Sequence, residues 1–267
     1  MAVQAMQRST RTDAIRSSVA LITGGGTGIG RAIALALARE GARAVAISYN
    51  VSEADARQTC NALTEAGVDC LAVRTDVRSD ADVRRLVATV VQSFGGVDIL
   101  VNNAGVTRYV PLRDLEALTD ENWDLTFDTN LRGTFYCCRA ATPHLRASNG
   151  SIINIASVAG LRGAGSSLAY AVSKAGVIHL TQVLAVALAP EIRVNCIAPG
   201  LVQTRWLERG VGEGTTKTEA CRVASETPLA RAAMPEDVAD VVLGLLASRH
   251  VTGQNVVIDG GKSITYE

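Results

Sequence analysis

Val19-Ala-Leu-Ile-Thr23-Gly24-Gly25-Gly26-Thr27-Gly28-Ile29-Gly30 is the stretch on which the reading of this chain turns. Its first five residues have strand character, and Ile29–Glu40 beyond them carries apolar residues at helical spacing. Glycines between a strand and a helix let the backbone turn sharply, approach a pyrophosphate closely and pack the helix near the strand. The start of the helix then offers free N–H groups and a positive dipole end to phosphates. A bland tight connection would use the same residues, so the rest of the chain must decide.

Working outward, strand-like runs alternate with helical ones. Strands are expected over Ala44–Tyr49, Cys70–Arg74, Asp98–Asn102, Ser151–Ile155, Arg193–Ala198 and Asn255–Asp259. Helices are expected over Glu53–Ala66, Ala81–Phe94, Glu121–His144 (ending or bending at Pro143), Leu168–Ala189 and Pro235–Ser248. Repeated strand–helix–strand units predict an α/β fold, a single Rossmann-type doubly wound parallel sheet of about seven strands with helices on both faces. A polar tail over 1–17 precedes one domain over 18–267. Leu201–Leu229 is long, polar and glycine-bearing, and 205–227 reads as a substrate lid with Trp206 as an apolar wall.

Composition removes several classes of function. In 267 residues, 48% are hydrophobic and 19% charged, which excludes a largely disordered chain. Lys plus Arg and Asp plus Glu are 26 each, without the basic excess of a nucleic-acid binder. The longest unbroken apolar stretches, Ala32–Ala38 and Val183–Ala189, fall short of the ~18–20 residues of a membrane span. The three His are scattered and no Cys-x-x-Cys occurs, so no metal site is expected. The six Cys read as buried reduced thiols of a cytoplasmic protein. Met1–Ser18 carries Arg8, Arg11 and Arg16 and no apolar signal core; a frayed tail is expected, with an organelle transit segment as the alternative.

Tyr170 and Lys174 are four residues apart in a helical run, so both project from one face. A tyrosine working as acid and base near neutrality needs its pKa lowered by ~2–3 units from about 10. A nearby ammonium in a partly desolvated cleft can supply that order of energy.

The whole pattern resembles the short-chain dehydrogenase/reductase family across residues 17–261. The glycine turn Thr23-Gly24-x-Gly26-Thr27-Gly28-Ile29-Gly30 is similar to that family's cofactor turn, and Asn102-Asn103-Ala104-Gly105, Asn130, Ser157, Tyr170-x-x-x-Lys174 and Pro199-Gly200 follow in the family's order. The resemblance implies Tyr170 as acid/base, Lys174 as its electrostatic partner and ribose ligand, Ser157 as carbonyl polariser and Asn130 as holder of a relay water. It implies a cofactor site of Thr23, Gly24, Gly26, Thr27, Gly28, Ile29, Gly30, Tyr49, Asn50, Asp76, Val77, Asn103, Ala104, Gly105, Tyr170, Lys174, Pro199, Gly200, Val202 and Thr204. Tyr49 stands where an NAD-selecting Asp is usual, which favours NADP(H) over NAD(H), although the Arg expected for a 2′-phosphate is missing too.

Within the family the chain resembles the 3-oxoacyl-acyl-carrier-protein reductase-like group, through Ile192-Arg193-Val194-Asn195, Pro199-Gly200, Val251-Thr252-Gly253-Gln254 and Asp259-Gly260-Gly261. That group's carrier-docking basic residues have only Arg146 and Arg193 nearby here, so a small-molecule alcohol, polyol or hydroxyacid dehydrogenase competes with an acyl-thioester reductase. The family also implies a homotetramer, paired in part through the apolar helix Leu168–Ala189. A non-catalytic dinucleotide-binding scaffold would share the fold but would be expected to have lost some of the four catalytic residues.

Overall fold

In a computed structural model of the protein, residues 14–205 and 215–265 are described. Seven strands, β1 (Val19–Thr23), β2 (Ala44–Tyr49), β3 (Asp69–Arg74), β4 (Ile99–Asn102), β5 (Ser151–Ile155), β6 (Arg193–Pro199) and β7 (Asn255–Ile258), form one sheet. Every pairing is parallel, in the order β3-β2-β1-β4-β5-β6-β7. The order reverses between β1 and β4, and the crevice beyond the carboxyl ends of strands at such a point is where ligands bind.

The apolar runs of β1, β4 and β5 are buried throughout because helices cover both faces. One face packs against α1 (Gly28–Arg39), α2 (Glu53–Glu65) and α8 (Pro235–Ala247), with Ile33, Leu37, Leu63, Val242 and Leu246 meeting Ile22, Ile47 and Ile153. The other packs against α3 (Asp80–Phe94), α5 (Gly133–Ser148) and the end of α6 (Leu168–Ala187), where Leu86, Val90, Leu145 and Ala185 meet Leu21, Leu100 and Ile152. A buried polar line crosses the second layer: Asn102 Nδ2 donates to Asn154 Oδ1 at 2.9 Å, and Asn154 Nδ2 to Thr181 Oγ1 at 2.9 Å. It ties β4, β5 and α6 together beneath the cleft.

Several expectations are revised. The expected helix Glu121–His144 is divided into α4 (Asp120–Phe127), a π-helical turn (Asp128–Arg132) and α5, which continues through Pro143 to Ser148. Burial of Leu145 beyond the proline opposes a break there, which would expose it. Within 201–229, α7 (Thr215–Ser225) is helical; its Thr-rich, polar sequence carries no apolar stripe to announce it. Trp206 and the rest of 206–214 lie outside the described residues, as does the tail over 1–13. Ile15, assigned to the tail, is fully buried against the first layer.

Cys60 and Cys70 form a disulfide between α2 and β3, and Cys221 is exposed, so only Cys137, Cys138 and Cys196 are buried thiols. The Cα atoms of Cys60 and Cys70 lie 5.3 Å apart because the turn at Gly67 returns β3 alongside α2, a contact that spacing alone did not reveal. The α6 helix meets the length and mean hydropathy of a membrane span, in contrast to the short unbroken runs read from the sequence. It nonetheless lies on the sheet with Ala169, Ser173, Lys174, Val177, Thr181 and Ala185 buried.

Candidate active site

The glycine turn is fixed from the β4 side. Thr23 Oγ1 accepts from the amides of Asn103 and Ala104, each at 3.0 Å, and Asn103 Nδ2 donates to the carbonyls of Thr23 and Gly24, each at 3.0 Å. Gly24 adopts φ +65°. A Cβ on Gly30 would stand 2.5 Å from the Gly24 carbonyl, so the close approach of α1 to the turn requires glycine there. Helices α3, α4 and α6 are capped by Ser79, Thr119 and Ser167, but Thr27 makes no cap bond to α1. The first amides of α1 therefore face the cleft without a side chain across them, as a phosphate site requires.

The cleft is about 1230 Å³ and runs along the carboxyl ends of the strands. Its wall holds Gly24, Gly26, Thr27, Gly28 and Ile29 from the first turn, Tyr49 and Asn50 after β2, and Asp76 and Val77 after β3. Asn103, Ala104 and Gly105 follow from β4, and Pro199, Gly200, Val202 and Thr204 from β6. Ser157, Tyr170 and Lys174 lie on the same wall. Thr23, Gly30 and Asn130 do not line it; they stand behind it. The size, the uncapped helix and the glycine turn fit a dinucleotide. No carboxylate ends β2, and Ser52 at the start of α2 makes no side-chain cap bond. Asp76 is engaged by Arg78 through contacts of 2.5–3.0 Å, which hold its carboxyl below the usual range.

Close packing brings Ser157, Tyr170 and Lys174 together. After β5, Ser157 begins a short 3-10 turn, Val158–Gly160, and a Cβ on Gly160 would lie 2.6 Å from the Lys174 carbonyl carbon. Gly160 thus lets the turn rest against α6, and Ser157 reaches Tyr170 in a side-chain hydrogen bond. Lys174, buried, donates through Nζ to the Ile155 carbonyl at 2.8 Å and stands 5.7 Å from the Tyr170 ring centroid.

The electrostatics reverse the expectation for the free protein. Burial raises the Tyr170 phenol to about 12; the Ser157 hydrogen bond opposes this and the Tyr109 hydroxyl adds to it. Burial lowers Lys174 to about 8, with a small opposing effect from Cys196. The ammonium is spent on a carbonyl rather than on the phenol oxygen, so desolvation prevails. This tyrosine is held protonated, the form of a proton donor.

Asn130 occupies the π-helical turn, a device frequent at functional sites. Its Oδ1 accepts from Val106 N at 2.8 Å, and both amide protons are used, on the Val106 carbonyl and Ser173 Oγ, each at 3.0 Å. Its amide braces the segment after Gly105 against α6, so those protons are not available to a relay water. The substrate side also contains residues that the sequence did not single out: Tyr109, Val110, Pro111, Leu125, Val158 and Arg162. Leu125 stands on α4 and Val158 on the 3-10 turn, while Tyr109, Val110, Pro111 and Arg162 sit on segments without a local pattern; only their neighbourhood to Gly105 and Ser157 pointed to those.

A family profile described as enoyl-(acyl carrier protein) reductase matches residues 24–263. The granaticin polyketide synthase putative ketoacyl reductase 2 of Streptomyces violaceoruber is 46% identical over 94% of this chain and 98% of its own length. A putative short-chain dehydrogenase/reductase from Burkholderia xenovorans superposes with a TM-score of 0.86 at 35% identity, covering 93% of this chain and 99% of that one. The chain belongs to the short-chain dehydrogenase/reductase family. As a short-chain dehydrogenase/reductase it is an oxidoreductase of the C=O/CH–OH class that uses a nicotinamide cofactor. Its relatives include a 3-oxoacyl-acyl-carrier-protein reductase of Thermotoga maritima, 38% identical over 92% of this chain and 98% of the relative. Levodione reductase superposes with a TM-score of 0.86 at 32% identity, over 94% of this chain and 99% of that one.

Proposed function

We propose that this enzyme reduces the ketone of a 3-oxoacyl thioester, with NADPH as the preferred cofactor. The observation that carries the reading is the hydrogen-bonded pair Ser157 and Tyr170, with the phenol protonated, on the wall of a cleft to which Val110, Pro111, Leu125 and Val158 add apolar surface. The strong likeness to proteins named as ketoacyl reductases supports the substrate class. Two hydroxyls converging on one site suit a carbonyl oxygen better than the carbon–carbon double bond of an enoyl group.

When bound, the nicotinamide supplies the hydride. Ser157 holds and polarises the ketone oxygen, and Tyr170 delivers a proton to it. Lys174 in its ammonium form stabilises the phenolate left behind and holds the nicotinamide ribose. Asn130 acts as a positioning residue through Val106 and Ser173. Tyr49, Asn50 and Ser52 receive the adenosine ribose without a carboxylate to repel a 2′-phosphate. NAD(H) is the second cofactor in this reading, and a polyol or hydroxyacid dehydrogenase is the second activity.

Carrier docking by the basic residues near β5 and β6 has no support. Arg146 faces Glu191 at 3.8 Å, and the Arg193 guanidinium is turned inward. It donates to the carbonyls of Ser248 at 2.9 Å and Leu246 at 2.8 Å, closing the end of α8. We place the enzyme in the cytoplasm, without nucleic-acid or membrane partners. We further propose a homotetramer that covers the exposed Val172, Val183 and Val186 of α6.

The test measures thermal stabilisation by NADPH and NADH separately, followed by turnover on acetoacetyl thioesters, simple ketones and polyols. The reading expects stronger stabilisation by NADPH and the highest kcat/KM on the thioester. A preference for NADH and for polyol oxidation would replace it with the second activity.

A further inference from the structure

The cations of the cleft are nearly all compensated. Arg78 pairs with Asp76 at 2.5 Å, Arg205 with Asp55 at 2.7 Å, Arg222 with Glu226 at 2.6 Å and Arg231 with Asp237 at 2.6 Å. Lys262 pairs with Glu226, and Lys174 is buried on the Ile155 carbonyl. Arg162 also lines the cleft, is exposed, and has no acidic partner among the described residues. It lies between Ser157 and Tyr170 in sequence, on the segment that joins the two catalytic groups.

An uncompensated guanidinium attracts an anion, and three facts point to the substrate as its source. First, the cofactor's phosphates belong to the β1 turn and the end of β2. The end of β5, which feeds the Arg162 segment, is two strands from β1 and three from β2, or ~10 and ~14 Å at the usual strand spacing. Second, Arg162 is exposed, whereas the Ser157–Tyr170 pair is buried deeper; the anion must remain at the solvent edge while the carbonyl is inside. Third, Gly163 and Gly165 follow it, and a Cβ on Gly163 would meet nothing within 4 Å, so the segment has room to accept an arm alongside it.

We propose that Arg162 is a specificity-determining residue that binds the phosphate at the outer end of a phosphopantetheine arm while the arm's 3-oxoacyl thioester reacts at Tyr170. This rests on the ketoacyl-thioester reading above and adds the residue that recognises the arm. Guanidinium and phosphate pair through parallel N–H···O bonds, so Lys should replace Arg only in part.

The test compares two substrates that differ only in the phosphate, S-acetoacetyl-4′-phosphopantetheine and S-acetoacetyl-pantetheine, in the parent enzyme and in Arg162→Gln, Arg162→Glu and Arg162→Lys. The parent should favour the phosphorylated substrate in kcat/KM by about tenfold or more, the order of one charge-assisted contact. Arg162→Gln should abolish most of that advantage through KM, Arg162→Glu should invert it, and Arg162→Lys should restore part. NADPH affinity, read by fluorescence titration, should follow the parent in all three. No advantage for the phosphate in the parent, or a ratio that ignores the substitutions, overturns the role of Arg162. A loss of NADPH affinity in step with the ratio would reassign it to the cofactor and also overturn it. If the parent turns over neither thioester but reduces simple ketones, the ketoacyl reading has failed and the Arg162 assignment fails with it.

Discussion

The two halves of the cleft are built differently. The half at β1 and β2 is made of strand ends, a glycine turn and a helix start, cross-tied by Thr23 and Asn103. The half beyond β4, β5 and β6 is made of connecting segments around 105–111, 161–166, 199–205 and 226–233, held by ion pairs such as Arg231–Asp237. Backbone geometry can recognise what every turnover shares, the dinucleotide. Side chains on loops recognise what differs among enzymes of one fold, the substrate. Ser157 and Tyr170, the pair proposed to act on the carbonyl, stand where the halves meet, because Gly160 allows the segment after β5 to rest on α6.

The sharpest way to break this division is at the junction. Tyr170→Phe removes only the phenol oxygen and should lower kcat by about 100-fold or more while NADPH still binds. Steady-state turnover beside a fluorescence titration checks both parts, and lost binding would mean that Tyr170 belongs to the cofactor half. Next comes the cofactor half itself. Tyr49→Asp should shift the NADPH/NADH preference towards NADH by about tenfold through charge repulsion, with no change in the ranking of ketone substrates. A changed substrate ranking would show that the halves are not separable.

A smaller effect sharpens the electrostatics. Lys174 is an ammonium below about 8 and neutral above it, so support for the phenolate formed during reduction is present at lower pH and lost as pH rises through about 8. Tyr170, pushed up to about 12, stays protonated across that range and does not limit the reaction. The pH profile of kcat for reduction should therefore fall above about 8, and a profile that rises there would contradict the role given to the Lys174 ammonium. The smallest effect lies behind the cofactor half. The Cys60–Cys70 bridge closes a short loop, so its reduction should cost ~2–3 kcal/mol of stability by the chain-entropy relation, seen as a lower Tm with the reduced ketone ranking unchanged.

The same division explains what was legible in the sequence. Seven strands and their order along the chain followed from short apolar runs and glycine punctuation, and the candidate site residues near β1, β4 and α6 followed from the resemblance of their motifs to the family's. Residues whose role is tertiary were hidden. Arg193 looked like a surface cation but closes the end of α8, and Asn130 looked like part of a regular helix but occupies a π turn. α7 has no apolar stripe to mark it, and the disulfide depends on where β3 returns beside α2. Spacing places Lys174 near the Tyr170 ring but cannot show that, in the free protein, its ammonium is committed to the Ile155 carbonyl and the phenol is raised by burial.

The central claim is that Ser157 and Tyr170 act together on a ketone oxygen. Its most direct measurement follows NADPH oxidation with acetoacetyl-pantetheine and with crotonyl-pantetheine at equal concentration, identifying the products by mass and chromatography. The account predicts a 3-hydroxybutyryl thioester from the first and no turnover of the second, with the first reaction lost in Tyr170→Phe. Saturation of the crotonyl double bond without reduction of the acetoacetyl ketone would contradict it.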